Sequence, residues 1–250
     1  MKANSEPNPT VLLESWEITK RVARLDWDSL LRVLAEQGFV VTPPIIEQEH
    51  CAALSGLWED SARFRKQIDM ARQGFGLGSY KYFAAPLPDT VQALRTALYA
   101  RLLPVANRWQ RELGLTQQFP AALDDFIALC HRHGQTRPTP LLLRYETAGY
   151  NCLHQDLYGE VVFPLQATVL LSCPERDYRG GEFLLLEDRP RAQARGWSLP
   201  LSQGSAIIFA SARRPRPGRR GYYRVRMRHG VSPLHEGVRF TLGLIFHDAR

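Results

Sequence analysis

Two histidines, one aspartate and one arginine in the second half of the chain have the types and spacing for metal chemistry. His154 and Asp156 flank Gln155, and His229 lies ten residues before Arg239. Two imidazoles and one carboxylate on one face of a metal leave coordination positions open. At an Fe(II) ion, these open positions can bind further reactants. The planar guanidinium of an arginine can pair with an acidic co-substrate. The sequence therefore predicts a metal site at the two histidines and the aspartate, with Arg239 beside it.

A series of short strand patterns surrounds these residues. A lone His-x-Asp pair is a weak signal, but it lies at the end of a predicted strand, 150–156, which follows another at 140–145. Alternate residues of a strand share a face, so His154 and Asp156 should point one way and Gln155 the other. Further strands are predicted at 168–172, 182–186, 205–209, 222–226 and 239–246. Their even spacing favours a jelly roll or small barrel over a parallel sheet with crossover helices.

The first half of the chain is helical in pattern. Helices are predicted at 26–38, 47–68, 89–113 and 121–133, with a first strand at 39–41. Residues 73–83 are rich in glycine and aromatic residues and predict a hairpin, which is either a lid over the metal site or purely structural. We therefore expect an α+β fold: a double-stranded β-helix (jelly roll) with N-terminal helices packed on one sheet. Its parts are an N-terminal extension (1–25), a helical portion (26–137) and the jelly-roll core (138–250).

Composition limits the class of protein. The 250 residues are 44% hydrophobic and 23% charged, as in an ordinary globular protein able to bury a sizeable core. No apolar run is long enough to span a membrane, and the first residues lack the apolar core of a signal peptide. The four cysteines show no C-x-x-C spacing, which argues against a zinc ribbon or a disulfide framework. A cytoplasmic location is the simplest expectation.

Positive charge is concentrated in one tract. Residues 189–228 contain eleven arginines and no lysine or acidic residue, so the net charge of +7 leaves 7 − 11 = −4 for the other 210 residues. Such a field attracts polyanions, and arginine suits phosphate recognition. The alternative is a solvated loop whose arginines pair with acidic residues elsewhere. Candidate contacts to nucleic acid, including two tyrosines able to stack on bases, are Arg213, Arg214, Arg219, Arg220, Tyr222, Tyr223 and Arg224.

The chain resembles the Fe(II)/2-oxoglutarate-dependent dioxygenases. The resemblance runs from about residue 140 to the end and is carried by Tyr145 nine residues before His154, the HQD triplet, the segments GGEF (180–183) and GSAIIF (204–209), and HGVSP (229–233) with Arg239. It implies Fe(II), 2-oxoglutarate and O₂ as cofactors and co-substrates. By the same resemblance His154, Asp156 and His229 ligate Fe(II), Arg239 pairs with the distal carboxylate of 2-oxoglutarate, and Tyr145 donates a hydrogen bond to that carboxylate.

A narrower resemblance concerns the substrate. Residues 153–159, 189–191, 220–225 and 245–248 are similar to a bacterial oxygenase family named for oxidative demethylation of damaged DNA. The HQD triplet and Tyr145 match alkylation-repair dioxygenases. The spacing of Arg239 from His229, however, is typical of prolyl-hydroxylase-like enzymes, and the second arginine that repair enzymes carry on the last strand is absent.

Three functions stay open on these grounds. The first is oxidation of alkylated nucleic acid, in which hydroxylation of an N-methyl group releases formaldehyde. The second is hydroxylation of a protein side chain or small metabolite, favoured by the Arg239 spacing. The third is a non-catalytic basic binding protein on a jelly-roll scaffold, since this type of scaffold hosts many functions.

Overall fold

Six helices and fourteen strands make up the described part of the chain. The computed structural model describes residues 15–250, so most of the predicted extension 1–25 lies outside the described residues. The helices are α1 (Ser15–Ala23), α2 (Trp27–Gln37), α3 (Gln48–Gly56), α4 (Met70–Gln73), α5 (Asp89–Glu112) and α6 (Leu123–Arg132). None of these helices is long and apolar enough to cross a membrane.

The strands form two antiparallel sheets. They are β1 (Phe39–Pro44), β2 (Phe64–Asp69), β3 (Gly76–Leu77), β4 (Ser79–Phe83), β5 (Leu141–Glu146), β6 (Tyr150–His154), β7 (Leu165–Leu170), β8 (Tyr178–Gly180), β9 (Phe183–Asp188), β10 (Arg195–Leu199), β11 (Ser205–Ala210), β12 (Arg213–Gly218), β13 (Gly221–Val231) and β14 (Leu234–Ile245). Eight of them pair in the order β1-β11-β7-β14-β5-β4-β2, with β8 on β14. The other six pair in the order β10-β9-β13-β6-β3, with β12 on β13.

The long helix α5 covers the outer face of the eight-stranded sheet. Its buried residues recur at helical spacing, among them Leu94, Leu98 and Leu102. Buried Arg95 ties the helix to the end of the chain, because its guanidinium donates to the carbonyl oxygens of Ile245 and Phe246 and to Asp248. The predicted double-stranded β-helix with helices against one sheet is confirmed.

One predicted helix is wrong in extent. The segment 47–68 was expected to be a single helix, but α3 ends at Gly56 and two short 3-10 turns follow. The Asp60 carboxylate accepts a hydrogen bond from the Ala62 amide and begins the second turn. The chain then enters β2, which pairs with β4. Pairing with the aromatic strand β4, which begins ten residues after β2 ends, overrides the local helical pattern here.

The glycine-rich segment joins the two sheets. β4 pairs with β2 and β5 in the eight-stranded sheet, whereas β3 pairs with β6 in the other. A Cβ atom on Gly78 would lie 2.8 Å from the Tyr145 ring, and its φ of +149° also favours glycine. Glycine therefore lets the segment pass directly against a residue of the predicted site.

Candidate metal centre

His154, Asp156 and His229 come together where the two sheets face each other. His154 ends β6 and lies directly opposite His229 of β13 in the sheet register. One ligand atom from each of the three side chains lies within 4.8 Å of the other two. The Nε2 atom of His229 is 3.3 Å from Oδ2 of Asp156, and that of His154 is 3.6 Å from Oδ1. This spacing allows one metal ion to contact all three side chains.

The protonation of the triad suits metal binding. His154 Nδ1 lies 2.8 Å from the Cys152 carbonyl oxygen, so donation from Nδ1 leaves the lone pair of Nε2 free for a metal. Burial lowers the pKa of His229, with His154 adding to the shift. Burial opposes ionisation of Asp156, but hydrogen bonds, first with His229 and also with Tyr158, outweigh it and hold the carboxyl pKa below its usual range. Neutral imidazole and carboxylate are the forms that bind a metal.

Two tyrosines that the sequence did not point to support the aspartate. The Tyr158 hydroxyl donates to Oδ1 of Asp156 at 2.7 Å, and the Tyr82 hydroxyl donates to that of Tyr158 at 3.2 Å. Oδ1 is thereby engaged, while Oδ2 faces His229. Burial, and then the Asp156 charge, raise the pKa of Tyr158, so its hydroxyl stays protonated and can donate. These hydrogen bonds fix the orientation of the carboxylate.

Gln155 links the metal ligands to the arginine-rich hairpin formed by β12 and β13. Its amide nitrogen donates to the carbonyl oxygens of Ala212 at 2.7 Å and Met227 at 2.8 Å. Gln155 lies between two candidate ligands, and Met227 precedes the third by two residues. One side chain therefore holds the HQD segment, the start of β12 and the approach to His229 in register.

Arg239 and Tyr145 lie opposite each other on β14 and β5, as the register of the sheet shows. Both are fully buried, and the guanidinium carbon of Arg239 is 5.8 Å from the ring centres of Tyr145 and Tyr178. Within residues 15–250 the Nε atom of Arg239 has no hydrogen-bond partner. An unpaired donor on a buried cation is costly unless a ligand satisfies it. Burial raises the pKa of Tyr145 to about 12, so its phenol remains a donor. These groups fit a carboxylate.

A cavity of about 390 Å³ joins the triad to Arg239. Alternate residues of β14 line it from Arg239 to Ile245, as the two-residue period of a strand requires. Leu141 and Leu143 of the neighbouring strand β5 pair with Gly243 and Thr241 and extend the same wall with apolar side chains. The remaining lining residues include Tyr80, Tyr158, Gln166 and Thr168. The volume lies in the usual range for small-molecule sites.

The arginine tract divides into paired and unpaired residues. Arg214 is buried and donates to the Glu187 carboxylate, which Arg216 also contacts at 2.7 Å. Arg189 lies 3.6 Å from the same carboxylate, and Arg228 pairs with Asp188 at 3.1 Å. Arg214 was expected to contact substrate, but its guanidinium lies inside the fold, where it also donates to the Glu36 carbonyl oxygen. Its position explains the difference, because it occupies the inward face of β12.

The other predicted contacts of the hairpin are exposed. Arg213 lies directly opposite Arg226, and Arg224 is opposite Pro215. In the described part of the chain no carboxylate partner is found for Arg213, Arg219, Arg220, Arg224 or Arg226. Tyr222 and Tyr223 are 51% and 37% exposed, large values for aromatic side chains. The hairpin thus presents cations and aromatic rings outward on a strand that continues to His229.

Comparison with known families matches residues 78–249 to the Oxygenase-NA family model, described as an oxygenase catalysing oxidative methylation of damaged DNA. Uncharacterized protein Rv2227 of Mycobacterium tuberculosis H37Rv is 51% identical over 167 residues, which is 67% of this chain and 72% of that protein. Uncharacterized protein MT2286 of strain CDC 1551 matches to the same extent.

Solved structures resemble the fold at low sequence identity. A Pseudomonas putida prolyl-4-hydroxylase aligns with a TM-score of 0.53 at 14% identity, over 90% of this chain and 99% of that one. A Burkholderia pseudomallei oxidoreductase of the 2OG-Fe(II) oxygenase family gives 0.51 at 14%, over 89% and 92%. The α-ketoglutarate-dependent epimerase SnoN from nogalamycin biosynthesis gives 0.53 at 14%, over 87% and 80%.

Proposed function

Because the chain belongs to this oxygenase family and is an Fe(II)- and 2-oxoglutarate-dependent dioxygenase, we propose that its substrate is alkylated nucleic acid. The proposal rests chiefly on the unpaired arginines of the hairpin that leads into His229. Because the chain is an oxygenase, the third alternative, a non-catalytic binding protein, is no longer needed.

Different residues of the cavity would bind the metal and the co-substrate. His154, Asp156 and His229 would hold Fe(II), and Arg239 with Tyr145 would hold the distal carboxylate of 2-oxoglutarate. When bound, Fe(II) and 2-oxoglutarate use O₂ to oxidise a C–H bond, with succinate and CO₂ as by-products. Tyr158 keeps the Asp156 carboxylate oriented, and the apolar wall at Leu141 and Leu143 excludes water.

Nucleic acid suits the surface beside this cavity. Like charges directly opposite each other on neighbouring strands repel, so the Arg213–Arg226 pair is unfavourable without an anion. Phosphates along a strand would neutralise these cations, and exposed tyrosines could stack on bases. Oxidation of an N-methyl group on a base would release formaldehyde and remove the methyl group.

The test is an O₂-dependent succinate assay after anaerobic addition of Fe(II) and 2-oxoglutarate. We expect a methylated single-stranded oligonucleotide to raise succinate formation and release formaldehyde, whereas the unmethylated strand should do neither. His154→Ala should abolish both products, because the metal loses one of three ligands. Succinate formation that is independent of the methylated strand would refute the nucleic-acid substrate and retain the oxygenase.

A protein side chain or small metabolite is the second candidate substrate. The observation that favours it is a set of exposed apolar side chains, of which Phe75 and Leu153 line the cavity and Leu77 and Leu157 are also exposed. An apolar peptide could cover them. Peptide-stimulated succinate formation without formaldehyde would support this alternative.

A further inference from the structure

Gln166 is a polar side chain of the cavity wall that the chemistry above does not use. It is only 2% exposed, and its Nε2 atom has no hydrogen-bond partner among residues 15–250. Buried amides are normally hydrogen-bonded, because losing water without gaining a partner is unfavourable. Since Gln166 lines the cavity, a bound ligand can supply the missing acceptor.

The sheet register places Gln166 near the triad. It lies opposite Phe209 on β11 and Ile245 on β14. The Phe209 ring centre is 4.7 Å from that of His229. Arg239, the residue suited to 2-oxoglutarate, is six residues before Ile245 on β14, about 20 Å along the strand. Gln166 therefore lies at the other end of the wall from Arg239.

The surroundings of Gln166 select a neutral and planar group. The two residues paired with it, Phe209 and Ile245, have apolar side chains, which favours an uncharged ligand group beside the amide. A carboxamide carries both a donor and an acceptor, and it can match the donor–acceptor edge of a nucleobase. Tyr80, Leu141 and Leu143 supply apolar surfaces on which a flat ring can pack.

We propose that the Gln166 amide hydrogen-bonds the edge of the alkylated base and so positions its methyl group at the metal. This inference rests on the proposed nucleic-acid substrate and names the residue that reads the base within the cavity. A base in the cavity has left the stack of the strand, as in other enzymes that act on a base.

The test compares two glutamine variants. Gln166→Leu removes an amide that lacks a partner, so we expect Tm to stay unchanged or rise, and kcat/KM for the methylated strand to fall about tenfold to a hundredfold. Gln203→Leu is the matched control, because the Gln203 amide donates to the Leu171 carbonyl oxygen at 2.7 Å. It should lower Tm and leave kcat/KM unchanged. Affinity for 2-oxoglutarate, measured by calorimetry with Mn(II) under nitrogen, should be the same for wild type and Gln166→Leu.

Each contrary result identifies a different error. A loss of 2-oxoglutarate affinity in Gln166→Leu would assign the amide to the co-substrate and overturn the proposal. A lower Tm with unchanged kcat/KM would make the residue structural. If the wild-type protein turns over no methylated strand, the nucleic-acid substrate is refuted, and the proposed contact between Gln166 and a base is refuted with it. Wild-type turnover that Gln166→Leu retains in full would refute the role of Gln166 alone.

Discussion

The Tyr158 hydroxyl fixes the orientation of one candidate metal ligand, the Asp156 carboxylate. Its hydrogen bond engages Oδ1 of Asp156 and leaves Oδ2 directed toward His229. A carboxylate held in one orientation loses less freedom when it binds a metal, and residues that orient ligands commonly contribute to metal affinity.

We predict that Tyr158→Phe weakens metal binding about tenfold to a hundredfold with little change in Tm, because the ring remains while its hydroxyl is lost. Mn(II) affinity, measured by calorimetry, checks this without turnover. Tyr82→Phe is the matched control and should have a smaller effect, since its hydroxyl contacts Tyr158 and not the aspartate. Equal Mn(II) affinity in wild type and Tyr158→Phe would contradict the orienting role.

The sequence predicted the residues that act through their own chemistry better than those that act through neighbours. His154, Asp156 and His229 could be proposed as a group because their residue types suit a metal and because the chain resembles a family with this ligand set. Tyr158 lies two residues after Asp156, yet no spacing rule distinguishes it from any other tyrosine. Its role depends on a rotamer and a contact that only the folded chain defines. Gln166 was hidden for the same reason, within an ordinary strand.

At the scale of an element, the sequence did not predict which arginines of the β12–β13 hairpin are buried. The sequence RRPRPG of β12 was not predicted as a strand, since proline cannot donate to a ladder and is confined to edges or bulges. Among the strands of residues 15–250, β12 pairs with β13 alone. Without the strand, the alternation that buries Arg214 and exposes Arg213 could not be foreseen. The sequence was enough to find the arginine-rich tract, but only the strand geometry shows which arginines lie on its buried face and which on its exposed face.

We predict that replacing Arg213, Arg224 and Arg226 together by glutamine weakens single-stranded DNA binding and reduces its salt dependence. Loss of three phosphate contacts should lower the slope of log K against log[salt] by about 2. Fluorescence anisotropy over a range of salt concentrations measures this slope.

The control for this variant removes three arginines that already pair with carboxylates, Arg63, Arg176 and Arg179. It should leave the slope unchanged while lowering the net charge equally. If both variants reduce the slope to the same extent, general charge and not the hairpin attracts the DNA.

At the scale of the whole molecule, polar side chains, most of them buried, hold the end of the chain against the helices. Arg95 of α5 and His131 of α6 both contact Asp248, at 2.8 and 3.1 Å. The Gln135 amide nitrogen donates to the carbonyl oxygens of Val161 and Asp248. The helical half and the jelly roll are therefore joined by specific hydrogen bonds as well as by apolar packing.

His247 adds an acid-sensitive group to this junction. It is fully buried, and neither ring nitrogen has a hydrogen-bond partner in the described chain. Burial, and then the charge of Arg95, lower its pKa from 6.5 to about 4. The unfolded chain therefore takes up a proton near pH 6.5 that the folded protein refuses until about pH 4, so stability is complete above pH 6.5 and falls with pH between these values.

We predict that the wild-type protein loses about 2 kcal/mol more free energy of unfolding than His247→Leu when the pH falls from 7.5 to 5. Urea unfolding at the two pH values measures this difference, and it isolates His247 because every other titrating group is common to both proteins. The variant should also be no less stable than wild type at pH 5, since it replaces an unpaired imidazole by an apolar side chain. Equal losses in the two proteins would mean that His247 gains a hydrogen-bond partner or water in solution and does not resist protonation in the folded state.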